Sequence, residues 1–155
     1  MKTDSLSDLF LVFRSDLRLC ALPLGSVTET MRPLPIEPMP EMPVFLLGVS
    51  IIRGAIVPVV DVARLLGLST YASHARFVTL KLGDRSVAFA VDDVIGIRRL
   101  ASETTAVIPP LLSAADAGVI DEMTTLDAEL IVVLQAAHLI PDSVWEALDL
   151  NRTTQ

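Results

Sequence analysis

The stretch Phe77-Val78-Thr79-Leu80-Lys81-Leu82-Gly83-Asp84-Arg85-Ser86-Val87-Ala88-Phe89-Ala90-Val91 decides the fold class. Val78, Leu80 and Leu82 alternate with Thr79 and Lys81. After Gly83-Asp84-Arg85, the apolar Val87, Phe89 and Val91 alternate with small residues. Period two on both sides of a Gly-Asp turn is the pattern of a β-hairpin. The same grammar stands earlier in the chain, where the apolar runs Phe10 to Phe13 and Leu17 to Leu24 are divided by Arg14-Ser15-Asp16.

The two hairpins match each other at a constant offset of 67 residues. Phe10 pairs with Phe77, Phe13 with Leu80, Arg18 with Arg85, Leu22 with Phe89, Leu24 with Val91, Val27 with Val94 and Arg32 with Arg99. A second match follows at offset 74: Ile56-Val57 and Val59-Val60-Asp61 answer Leu130-Ile131 and Val133-Leu134-Gln135, and Leu65-Leu66 answers Leu139-Ile140. Gly48-Val49 likewise echoes Gly118-Val119. The chain reads as two related halves, each a strand meander ending in one turn of helix. About five short strands are marginal alone, so such halves gain most by packing together. The expected architecture is all-β: two small five-stranded antiparallel barrels over a shared hydrophobic core, with short helices.

Two intertwined barrel subdomains are expected, at about residues 9–74 and 75–140 of a single domain covering 1–155, followed by a helix over 141–150. Ser143 and Glu146 have capping-box spacing, Val144 and Leu148 stand at i, i+4, and Trp145 staples this helix to the body. Residues 151–155 read as a frayed polar tail.

Length and composition narrow the function. The 155 residues are 52% apolar and 20% charged, a globular rather than disordered balance. The net charge of −7 disfavours a phosphate backbone as partner, and the basic doublet Arg98-Arg99 has no aromatic beside it. Nucleic acid is therefore not expected. Residues 101–151 hold nine carboxylates and no Lys or Arg. That run reads first as a solvated acidic face, and more pointedly as a half that attracts a basic partner. The greasiest stretch, Val44 to Val60, is broken by Gly48, Arg53, Gly54 and Pro58, and the acidic N-terminus has no apolar leader core. The expectation is a cytoplasmic protein without membrane insertion.

Catalytic parts are missing from the pattern. No P-loop, GxGxxG, GxSxG or HExxH motif occurs. Cys20 sits in an alternating apolar strand and reads as a small hydrophobe. His74 reads as a solvated loop residue, and His138 as a surface residue in a single helical turn. Asp92-Asp93 reads as a turn rather than a metal pair, because neighbours on a strand face opposite ways. No enzyme activity, cofactor or metal is expected.

Two segments stand out. Five of the ten prolines fall within Pro33-Leu34-Pro35-Ile36-Glu37-Pro38-Met39-Pro40-Glu41-Met42-Pro43, which excludes helix and central strand and leaves an extended polyproline-like crossover. It reads as a stiff spacer or, alternatively, as a docking surface presenting Met39 and Met42. The second segment is Gly48-Val49-Ser50-Ile51-Ile52-Arg53-Gly54-Ala55-Ile56-Val57-Pro58-Val59-Val60-Asp61-Val62. Arg53 interrupts an apolar run and needs an acceptor. Gly54 permits a tight reversal, Pro58 calls for an edge strand or a bulge, and Asp61 can cap the short helix Ala63 to Leu66.

This second segment resembles the CheW-like domain, the coupling module of bacterial chemosensory arrays. Of the family's G-V-x-N-x-R-G-x-x-x-P-V-x-D-L pattern the chain keeps Gly48, Val49, Arg53, Gly54, Pro58, Val59 and Asp61. The resemblance runs over about residues 9–140, through Phe10-Leu11-Val12-Phe13, Ala21-Leu22-Pro23-Leu24, Val27-Thr28-Glu29, Val91-Asp92-Asp93-Val94 and the closing strand Leu130 to Leu134. Ile51 stands where the motif has Asn, and Gln135 where an Asp follows the closing strand.

The resemblance implies two SH3-like five-stranded barrels. It also implies a non-enzymatic adaptor that links the cytoplasmic tips of methyl-accepting chemoreceptors to the regulatory domain of a CheA-type histidine kinase, at membrane-associated receptor arrays. Carried over by position, the implied partner-binding residues are Val27, Glu29, Arg53 and Gly54, with Glu29 and Arg53 meeting across the first barrel. The reading from another class is a small-molecule-binding β-barrel regulatory protein, with its ligand between the halves.

Overall fold

A computed structural model describes residues 9–16, 18–67, 74–100, 120–126, 129–134, 140 and 142–153. Its strands are β1 (Leu9–Ser15), β2 (Arg18–Pro23), β3 (Val27–Met31), β4 (Leu46–Ile52), β5 (Ala55–Asp61), β6 (Arg76–Leu82), β7 (Arg85–Val91), β8 (Asp93–Arg99), β9 (Ile120–Leu126) and β10 (Glu129–Leu134). The helices are α1 (Val62–Leu65) and α2 (Asp142–Thr153), and a 3-10 turn, Leu24–Ser26, joins β2 to β3. The C-terminal helix thus runs past the expected end at 150, and Ser143 lies inside its first turn rather than ahead of it.

The strands form two five-stranded sheets, β8-β1-β2-β10-β9 and β3-β6-β7-β5-β4. Replacing each strand by its counterpart in the other half turns the first order into the second. The repeat is therefore real, but the boundary at 74/75 does not divide the sheets. Each sheet takes a leading hairpin from one half and three strands from the other. Each also contains one parallel pair, β2 with β10 and β5 with β7, so the pairing is not wholly antiparallel.

Irregularities repeat as well. The β3–β6 register skips Thr28 and the β1–β8 register skips Ile95, 67 residues later. The β4–β5 register skips Leu47 and the β9–β10 register skips Asp121, 74 residues later. A bulge bends its strand and tightens the twist, which five strands need in order to curl. This register pairs Gly48 with Glu122, so the echo of Gly48-Val49 in Gly118-Val119 is not the structural one; Gly118, Val119, Gln135, His138 and Leu139 lie outside the described residues.

Both faces of the hairpins are buried. Phe10, Val12, Leu19 and Ala21 point with Ile131 and Val133 into one sheet's own interior. Their counterparts Phe77, Ala88, Val57 and Val59 do the same in the other sheet. The alternate residues Leu11, Phe13, Cys20, Leu22, Val78, Leu80, Val87 and Phe89 join in one core between the sheets, closed by Val144 and Leu148 of α2. Burial on two sides explains why β2 and β7 read as nearly continuous apolar runs. Trp145 packs against this shared core, as expected.

Pro58 does not mark an edge, because β5 is flanked by β7 and β4. Its partner Val49 directs both backbone groups outward, its N–H donating to Glu37 O at 2.9 Å and its carbonyl accepting from Glu37 N at 2.7 Å. The parallel ladder to β7 begins only at Val59, so the missing N–H interrupts no bond. The proline-rich crossover is thereby laid along the outer side of β4. The Ser50 hydroxyl donates to Pro35 O at 2.7 Å, while Met39 and Met42 pack inward on the shared core instead of facing a partner.

Candidate docking surface

β4 and β5 are joined by Arg53 and Gly54, with φ of +52° and +82°. Two consecutive positive φ values define the hairpin turn whose twist suits the flanking strands, and a glycine in the second place removes half the strain. The turn holds the Arg53 side chain out of the sheet, 77% exposed. Its Nε and Nη2 each donate to one carboxylate oxygen of Glu29 at 2.8 Å. Glu29 belongs to β3, and β3 and β4 are the two edges of the same sheet. The ion pair therefore bridges the seam at which the five strands close. Glu29 and Arg53 meet as expected, although the barrel they close draws its β6 and β7 from the second half.

The hydrogen-bonded guanidinium holds the Glu29 carboxyl below its usual range, and Glu29 in turn raises Arg53. Solvent screens an exposed pair of this kind, so it adds little to folding. What it does is fix a two-pronged polar ridge. Two residues before Arg53 on β4 is Ile51, 70% exposed, the residue in place of the motif Asn. Val27 is half-buried against the shared core, opposite Leu80, and so supports the ridge from below more than it displays itself. Gly54 has open space where a Cβ would stand, leaving the turn tip accessible.

Asp61 caps α1 as the sequence suggests, its Oδ1 accepting from Arg64 N at 3.3 Å. It does more than cap. The side chain is 2% exposed, and its Oδ2 lies 2.9 Å from His74 Nε2 and 3.5 Å from Arg64 Nε. His74 is therefore not a freely solvated loop residue but a half-buried partner of the motif aspartate. Nothing in the spacing of thirteen residues announces this, because the contact is made through tertiary folding.

A second ion pair was not legible either: Arg14 Nη1 donates to Glu129 Oε2 at 2.9 Å, from β1 to the start of β10. Cys20 is fully buried, and desolvation pushes its thiol up to about 12. Asp92 accepts from Asp16 N at 2.9 Å at the neighbouring turn. Among the described residues no group of three or more His, Cys, Asp or Glu could hold a metal ion, and no helix is long and apolar enough to cross a membrane.

The family model of the CheW-like domain matches residues 9–144, the span that carries both sheets and the seam. The chain belongs to the CheW-like domain family. Among its relatives, the protein FrzA of Myxococcus xanthus is 33% identical over 106 residues, 66% of this chain and 64% of that one. The probable chemotaxis protein CheW of Rhizobium etli is 27% identical over 79% of this chain and 80% of its own. The chemotaxis protein CheW of Thermotoga maritima is 32% identical over 58% of this chain and 60% of its own. The scaffolding protein TtCheW from Thermoanaerobacter tengcongensis superimposes with a TM-score of 0.74 over 86% of this chain and 92% of that one. At 21% identity this last likeness concerns the fold: two SH3-like barrels, as in other CheW-like domains.

Proposed function

We propose that this CheW-like domain is a non-enzymatic adaptor that couples the cytoplasmic tips of chemoreceptors to the regulatory domain of a CheA-type histidine kinase at receptor arrays. One observation carries the reading. The Glu29–Arg53 pair closes a barrel seam yet leaves its guanidinium mostly in solvent, two residues after the exposed Ile51. A pair so exposed is weakly stabilising, and a rigid polar ridge beside an apolar side chain is what a specific contact uses. Relatives whose names speak of chemotaxis and scaffolding point the same way. Micromolar affinities suit modest interfaces.

The test is calorimetric titration of the full chain with the regulatory domain of a CheA-type kinase from the same organism, and separately with a receptor-tip fragment. Saturable binding to both, and a ternary complex on gel filtration, is the expected result. Binding to neither partner ends the proposal.

A further inference from the structure

We propose that the proline-rich segment of one copy docks against the Trp145 cavity of a second copy. The β3–β4 crossover is fastened on its inner side: Leu34 and Ile36 pack on one core, Met39 and Met42 on another, and Glu37 bonds β4. Its outer side is what remains, and Arg32, Pro33, Pro35, Pro38 and Pro40 are all exposed. In polyproline geometry, with three residues per turn, Arg32, Pro35 and Pro38 would share one edge at intervals of about 9 Å. Arg32 makes no ion pair among the described residues. A proline ridge held in place in advance loses little entropy on binding, and such ridges fit aromatic-lined grooves.

Among the described residues, a cavity that includes a tryptophan lies at the opposite end of the sequence. A cavity of about 310 Å³ is lined by Leu82, Arg85, Asp142, Trp145 and Glu146. The Arg85 guanidinium lies 4.7 Å from the indole centroid, orienting the ring. Asp142 and Glu146 stand exposed, one helical turn apart on the rim. One tryptophan edge beside Leu82, with two carboxylates on the rim, offers an apolar contact and an anionic partner to a proline ridge led by an arginine. Glu37 holds the crossover on β4 through Val49, and the charge match between exposed Arg32 and the exposed Asp142 and Glu146 points to the crossover of another copy as the occupant. The contact joins unlike surfaces, and so it builds head-to-tail chains or rings. It is independent of the coupling role proposed above.

Trp145 is the only tryptophan, so its emission reports the event directly. Two readouts are needed: sedimentation of the full chain across a roughly 1 µM–1 mM range, and emission during titration with a synthetic peptide of residues 31–44. The expected result is self-association and a saturable emission shift. Arg32→Glu and the double variant Asp142→Lys/Glu146→Lys each weaken association by about 10-fold or more, and mixing the two restores it. A parent that stays monomeric with no peptide response overturns the proposal, as does association indifferent to both reversals. Should the α2 variant unfold, Arg32→Glu alone decides, since that side chain is on the surface.

Discussion

Gly48 and Glu37 share a space that only one of them can fill: a Cβ on Gly48 would overlap the Glu37 carbonyl. Gly48 also has φ +147°, outside the range of ordinary side chains. The motif glycine is thus a packing requirement of the crossover on β4. Gly48→Ala is expected to cost about 2 kcal/mol or more, a fall of about 4–8 °C in Tm. A melting curve within 1 °C or so of the parent would show that the crossover yields freely.

Arg53 is expected to separate binding from stability. Arg53→Ala lowers Tm by less than about 2 °C, because the pair is exposed. It weakens binding to the kinase regulatory domain by about 10-fold or more. Equal affinity of variant and parent removes Arg53 from the docking surface.

The same pair has a pH signature. Glu29 is depressed in the folded state, so its share of stability is present above the unfolded value of 4.5 and disappears as pH falls through the lower folded value. Carboxyl NMR on Arg53→Ala should move the Glu29 midpoint up towards 4.5. An unmoved midpoint means the guanidinium does not govern that carboxyl.

Cys20 is expected to resist thiol reagents. Its folded value of about 12 exceeds the unfolded 9.0, so the native thiol stays protonated, and the associated stability is lost only as pH rises from about 9 towards 12. At pH 8 a disulfide reagent should label the protein only after denaturant is added. Rapid labelling of native protein would place the thiol elsewhere.

Asp61→Ala removes the α1 cap and leaves His74 and Arg64 facing an empty site. The expected loss is about 1–3 kcal/mol in urea unfolding, and His74→Ala should cost less because the cap survives. The reverse order would make the histidine, not the cap, the anchor.

Much of this was legible because it is local. Period-two runs and Gly-Asp or Arg-Gly turns mark β4–β5 and β6–β7, since pleat and turn geometry act over neighbouring residues. The seam pair Glu29–Arg53 was legible only through the family resemblance. Its members lie twenty-four residues apart with no periodic relation. The His74–Asp61 and Arg14–Glu129 contacts carried no signal, for a polar side chain in a loop or at a strand end has many acceptors within reach of the chain. Of the two alternatives Pro58 left open, the edge fails and the β4–β5 ladder has the bulge, at Leu47. A proline excludes one hydrogen bond, and whether that bond was wanted depends on what lies alongside β5.

By itself, then, the amino-acid order determined that this chain is a doubled set of short strands in hairpins, because alternation and turn chemistry are properties of adjacent residues. Only the tertiary structure decided which strands the halves trade, β1 and β2 lying with β8, β9 and β10 while β6 and β7 lie with β3, β4 and β5. The physical reason is that structurally equivalent repeats present equivalent strand edges. Which copy a strand pairs with is set by connection lengths and by the joint burial of both faces, and these are sums over the whole chain.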